Sequence, residues 1–223
     1  MAQIILQNVK KTYDPDVHKK PVLSEVNISI ESSEFVGIVG PSGSGKTTLL
    51  YVMSGLEGVD SGTVLLFNKP LTHYLESDRA MLRRDLIGFV FQFFNLIPNL
   101  TIYDNLKLAN VIIKNKGLTI EEALNLVGLK EVMHKYPSEL SGGMQQRASI
   151  ARAILGEKKI IFADEPTGNL DQETSLEIMG LFKELNQKLG ITIVMVTHNE
   201  ALLSYTNRVI RLLDGKIVKD EKR

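Results

Sequence analysis

The sequence predicts an α/β fold built on a mostly parallel sheet, and three observations carry that expectation. Continuous apolar runs at residues 34–40, 159–163 and 191–197 have the pattern of strands covered on both faces. The first two are followed by helix-patterned segments, residues 46–55 and 172–189. Strands alternating with helices call for parallel pairing through right-handed crossovers. Third, the glycine-rich stretch Gly40-Pro41-Ser42-Gly43-Ser44-Gly45-Lys46-Thr47 joins the first apolar run to the first helix.

The other elements follow in chain order. Residues 3–9 read as a strand with Ile4, Leu6 and Val9 near one face, and residues 22–30 as a second, with Val26, Ile28 and Ile30 alternating. Both are expected to be half-buried and antiparallel. Residues 61–66 are a further strand, 71–84 a helix and 86–92 a strand. From about 95 to 136 the pattern turns helical and polar, anchored by Leu124, Leu126, Val127 and Leu129, which reads as a helical insertion. Residues 141–155 form a helix with Met144, Ala148, Ala151 and Leu155 along one stripe. Asp214-Gly215 is the turn of a hairpin over residues 208–220. No linker or repeat interrupts the chain, so 1–223 is taken as one domain, with about 95–155 as a helical subdomain.

Composition narrows the function classes. A chain of 223 residues can bury a sizeable core without disulfides or a structural metal. Lys plus Arg, 26, equals Asp plus Glu, 26, so no basic field favours nucleic acid, and no nucleic-acid partner is expected. The absence of cysteine rules out a thiolate nucleophile, a cysteine zinc site and a disulfide framework. The N-terminal residues lack the apolar core of a signal peptide, and no apolar run is long enough to span a bilayer. A membrane role is expected to come through a partner.

Gly40 to Thr47 matches G-x-x-x-x-G-K-[ST], within a nucleotide-binding loop expected to run to Thr48. Its glycines let successive N–H groups turn inward as an anion nest, and the helix that follows adds its positive end. Lys46 is expected to reach the β- and γ-phosphates of a nucleotide and Thr47 to ligate magnesium. Downstream, an apolar strand delivers Asp164 and Glu165 at its carboxyl end, where ligands bind in open α/β sheets. Asp164 can hold the magnesium shell, and Glu165 is then placed to polarise a water. Alone, the two acids read equally well as solvated strand-end residues. Leu140-Ser141-Gly142-Gly143 opens a second helix with a good N-cap and free backbone N–H groups. The chain thus has two anion-binding helix starts and only one complete nucleotide loop.

As a set, these motifs resemble the nucleotide-binding domain of ATP-binding cassette proteins. Leu140-Ser141-Gly142-Gly143-Met144-Gln145-Gln146-Arg147 is similar to that family's signature motif. Gln92 resembles its Q-loop glutamine, Asn169-Leu170-Asp171 its D-loop, His198 its switch histidine and Tyr13 the aromatic that stacks on adenine. Taken alone, His198 is an ordinary strand-end histidine and Tyr13 a surface aromatic; their register with the other motifs raises them. The resemblance spans the whole chain. It implies a P-loop NTPase (RecA-like) core with an antiparallel β subdomain, and ATP hydrolysis with Mg2+. It also implies a head-to-tail dimer in which each signature, with Ser141, Gly142, Gly143 and Gln145, closes over the γ-phosphate held by the opposite loop. Glu165 becomes the general base, His198 a γ-phosphate contact, and Gln92 the link between magnesium and a transport partner.

The stretches at 82–101 and 163–171 are similar to one bacterial subgroup, the lipoprotein-release, macrolide-export and antimicrobial-peptide transport ATPases. The cell-division ATPase that regulates wall hydrolases is a near relative. This implies a subunit on the cytoplasmic face of the plasma membrane, working on a separate permease that docks near Phe93 to Asp104 and exports substrate or transmits force. Two alternatives stay open: a division regulator that moves no substrate, and a soluble ATP-dependent clamp. Two features depart from the subgroup. Met144 stands where relatives carry Gln or Glu, and a thioether cannot make their hydrogen bonds. The insertion between Asn105 and Ser141 is also somewhat short.

Overall fold

The computed structural model describes residues 2–13, 20–113 and 117–223. It contains two sheets. A four-stranded antiparallel sheet has the order β2-β1-β4-β5, from β1 (Ala2–Lys11), β2 (Leu23–Glu31), β4 (Ser61–Leu66) and β5 (Lys69–Pro70). A six-stranded sheet has the order β10-β9-β3-β8-β7-β6. Its members are β3 (Phe35–Val39), β6 (Ile87–Phe91), β7 (Ile160–Asp164), β8 (Thr192–Thr197), β9 (Arg208–Leu213) and β10 (Lys216–Lys222). All pairings in it are parallel except the β9–β10 hairpin.

The apolar runs behave as their composition dictates. Every residue of β3 and β8 is buried, and β7 is buried up to Asp164. Helix α1 (Lys46–Ser54) lies over one face, packing on β1, β4, β7 and β8. Helix α6 (Gln172–Leu189) covers the other, with Ile178, Met179, Phe182 and Leu185 in a core shared with Phe35, Ile193 and Met195. The insertion folds as α3 (Ile102–Ile112), α4 (Ile120–Leu126) and α5 (Gly142–Ile154), and α5 packs on β6, α3, α4 and α6.

One local expectation needs correction, and another holds through an irregularity that the pattern did not reveal. Residues 71–84 do not make one helix: a 3-10 turn, Leu71–His73, precedes α2 (Glu76–Leu86). Extended backbone at Tyr74 and Leu75 separates the two, so apolar spacing alone overran the break. In β1, Leu6 and Val9 are both buried although three residues apart. A register shift between them, with Asn8 at φ 50°, inserts a bulge that restores the face.

Parallel register sets the site. Phe91 is opposite Asp164, Asp164 opposite Val196, and Val39 opposite Thr197. One residue further, Gln92, Glu165, His198 and Gly40 leave the sheet along a single edge.

Candidate functional site

At that edge the loop after β3 turns back on itself before α1. Gly45 has φ 96°, a left-handed value that excludes a side chain, and a Cβ there would also meet the Val22 carbonyl at 2.7 Å. Lys46 is buried, and its Nζ donates to the carbonyls of Gly40, 2.9 Å, and Pro41, 2.8 Å. The cation is therefore held over the loop, where anionic phosphate is the stronger acceptor. Ser44 Oγ is buried and has no hydrogen-bond partner among the described residues. A buried hydroxyl left unsatisfied costs free energy, so it marks a place where a polar ligand belongs. Pro41, Ser42 and Thr47 lie exposed around the same loop, and Thr48 is half-buried.

Thr47 Oγ1 donates to Asp164 Oδ1 over 3.1 Å, which joins the start of α1 to the end of β7. Burial pushes the Asp164 carboxyl above its ordinary value, opposed by the Thr47 bond and reinforced by neighbouring Glu165. Thr47, Tyr51, Gln92, Asp164 and Glu165 share a cleft of about 420 Å3. This donor set fits Mg2+, a hard cation that takes one or two carboxylates and oxygen donors and keeps the substrate's phosphates for the rest. Among the described residues no cluster of three or more His, Asp or Glu is placed to hold a metal ion.

Glu165 sits at φ 48°, an uncommon value for a residue with a side chain. Its backbone N–H donates to the Val196 carbonyl, 3.0 Å, and its carbonyl accepts from Gly168 N–H, 3.0 Å. Those two bonds hold the turn and bring Glu165 Oε2 within 2.9 Å of His198 Nδ1.

The remaining expected residues are dispersed. Ser141 caps α5 by accepting from Met144 N–H, 3.3 Å, and Gln145 Nε2 donates to the Leu140 carbonyl, 3.1 Å. Neither of the clefts beside the phosphate loop is lined by Ser141, Gly142 or Gly143. The start of α5 thus contributes to neither cleft. Tyr13 is exposed, with Lys11 Nζ 5.1 Å from its ring centre. Gln92 reaches toward Asn169, not Thr47: its Nε2 donates to Asn169 Oδ1 over 3.0 Å.

Sequence reasoning passed over Tyr51, whose side chain lines the same cleft as Asp164. The available signal was spacing, because Tyr51 stands four residues after Thr47 and so on the same helix face. It also gave Asn105 and Arg152 no role. Arg152 donates to the carbonyls of Phe94 and Asn95. Asn105 accepts from Ile97 N–H, 2.7 Å, and donates to the carbonyls of Ile97, Leu100 and Thr101. Together they pin the loop that follows Gln92.

Comparison with known proteins gives a consistent picture. Residues 23–168 match the family model described as ABC transporter. The chain is 42% identical over 221 residues to the bacitracin export ATP-binding protein BceA of Halalkalibacterium halodurans, covering 97% of this chain and 87% of that one. It is 40% identical over 222 residues to the macrolide export ATP-binding/permease protein MacB of Bdellovibrio bacteriovorus, covering 98% of this chain but 34% of that longer protein. The dimeric post-hydrolysis structure of the ATP-binding cassette MJ0796, bound to ADP and Pi, superposes with a TM-score of 0.85 at 39% identity, covering 98% of both chains.

Proposed function

The chain belongs to the ABC transporter family, and from that premise we propose that it is the ATP-hydrolysing subunit that powers a membrane permease. The observation that carries the reading is the alignment of the phosphate loop, Asp164, Glu165 and His198 along one sheet edge. In this reading it binds ATP as a head-to-tail dimer; the dimeric cassette it resembles supports the dimer.

In this reading the loop amides, Lys46 and Ser44 bind the phosphates and hold them in line. Ser141, Gly142 and Gly143 of a second copy, with Gln145 beside them, close over the γ-phosphate from the far side. Thr47, Asp164 and Gln92 hold Mg2+, which when bound neutralises charge on the phosphate oxygens. Glu165 takes a proton from the attacking water, and His198, whose Nδ1 lies on the Glu165 carboxylate, orients that base and reaches the γ-phosphate. Most of the acceleration is electrostatic, from donors placed before the reaction begins. Tyr13 stacks on the base.

No helix among the described residues is long and apolar enough to cross a membrane, so force must pass through a surface. That surface is the stretch from Phe93 to Asp104, a loop that runs into the first turn of α3. Phe93 is 70% exposed, yet the backbone beside it is pinned by Arg152 and Asn105. A rigid loop that shows an aromatic side chain to solvent suits a permease segment. The relatives named for bacitracin and macrolide export favour an exporter or force transmitter at the cytoplasmic face of the plasma membrane. The test is direct. Purified protein should release phosphate from ATP in the presence of Mg2+, and should co-purify with its permease from detergent-solubilised membranes. Hydrolysis with no permease bound, together with tight association with ribosomes or DNA, would overturn the transport reading in favour of a soluble clamp.

A further inference from the structure

Gln92 and Asn169 are joined by two reciprocal hydrogen bonds. Gln92 Nε2 donates to Asn169 Oδ1 over 3.0 Å, and Asn169 Nδ2 donates to the Gln92 backbone carbonyl over 3.0 Å. The second bond settles the orientation of both amides. A backbone carbonyl only accepts, so the edge of Asn169 that meets it must be the NH2. Asn169 therefore offers its oxygen to Gln92, and Gln92 must answer with its own NH2. The Gln92 oxygen is left over, and oxygen is the end of an amide that binds a hard cation. Gln92 lines the same cleft as Thr47 and Asp164. The chain next to Asn169 is shaped for this contact: a Cβ on Gly168 would come within 2.9 Å of Gln92 Nε2.

We propose that Asn169 is a positioning residue for Gln92, binding the amide nitrogen so that the amide oxygen is the end presented to the metal-holding cleft. This rests on the reading of Gln92 as a magnesium ligand. The part of Asn169 is to remove one of two amide orientations that are nearly equal in shape and opposite in chemistry.

The experiment uses Mn2+ as a spectroscopic substitute for Mg2+, with free and bound metal counted by electron paramagnetic resonance in the presence of a non-hydrolysable ATP analogue. N169A should weaken Mn2+ binding on the order of tenfold, the usual size of losing a group that orients a metal ligand. Affinity for the same nucleotide in EDTA should stay unchanged, which also shows the variant is folded. Q92A should weaken Mn2+ at least as much, and adding N169A to it should cost nothing further, because the two act through one bond. G168A should shift Mn2+ binding in the same direction as N169A. Wild-type Mn2+ affinity in N169A, beside a weakened Q92A, would overturn the positioning role and leave Gln92 as a ligand. Wild-type affinity in Q92A would overturn the ligand reading itself, and the proposal with it.

Discussion

Glu165 Oε2 and His198 Nδ1 lie 2.9 Å apart, although the two residues come from different strands and are 33 positions apart in sequence. Adjacent parallel strands β7 and β8 deliver them to neighbouring sites, and the bond between them fixes which carboxylate oxygen stays free. E165Q preserves shape and can still accept from the histidine, but it cannot take a proton from water. Turnover should fall by at least about a hundredfold, the usual contribution of a general base. ATP binding should persist, and the ATP-bound dimer should become stable enough to isolate by size-exclusion chromatography. Phosphate release at the wild-type rate would remove Glu165 from its role.

Ser141 lines neither cleft beside the phosphate loop, which makes a complementation test possible. K46A damages the loop and S141R blocks the signature, so each variant alone should be nearly inactive. Mixed dimers join the intact loop of one to the intact signature of the other. An equimolar mixture should recover about a quarter of wild-type activity, since half the dimers are mixed and each holds one complete site. A mixture no more active than its components would show that the site is not shared.

How much of this was legible beforehand depends on what kind of interaction carried it. The loop from Gly40 to Thr48 and the strand ending at Asp164 could be read because periodicity and glycine spacing are local. Placing Gln92, Glu165, His198 and Gly40 on one edge needs the strand order, in which β8 lies between β3 and β7. No local pattern encodes that. The break at Tyr74 and Leu75 was hidden because apolar and charged residues continue through it. Asn105 was overlooked, and Asn169 was named only as part of the D-loop resemblance, for a related reason. Their value lies in backbone carbonyls that they satisfy, and carbonyls leave no trace in side-chain composition.

Asn105 predicts a variant with a local effect. The residue is buried and makes four hydrogen bonds to residues 97–101. N105A leaves those groups unpaired and should lower stability by about 1–3 kcal/mol. Amide hydrogen exchange should accelerate in residues 95–101 while the phosphate loop keeps its protection. Unchanged exchange in that loop would mean Asn105 is not what holds it.

Lys158 predicts a pH effect on stability. Burial pushes its ammonium down to about 8 from an ordinary 10.5, with Asp85 only partly compensating. Below pH 8 the folded protein carries the full penalty of a buried charge. Between pH 8 and 10.5 the unfolded chain holds a proton that the folded chain has released, so stability rises with pH over that window. K158M has no such proton. Urea unfolding near pH 7.5 and pH 10 should show wild type gaining on K158M at the higher pH. A constant difference would place the Lys158 ammonium in water.

The turn at Asp214-Gly215 carries one more consequence. Gly215 N–H donates to the Ser44 carbonyl over 3.1 Å, and Ser24 N–H donates to the Gly215 carbonyl over 2.9 Å. The nucleotide loop is thus tied to a residue made 171 positions later. During synthesis the chain emerges from its N-terminus, so residues 40–48 leave the ribosome long before their backbone partner exists. A binding assay on ribosome-bound chains, extended at the C-terminus by a flexible linker long enough to span the exit tunnel, should gain ATP affinity only once residue 215 has emerged.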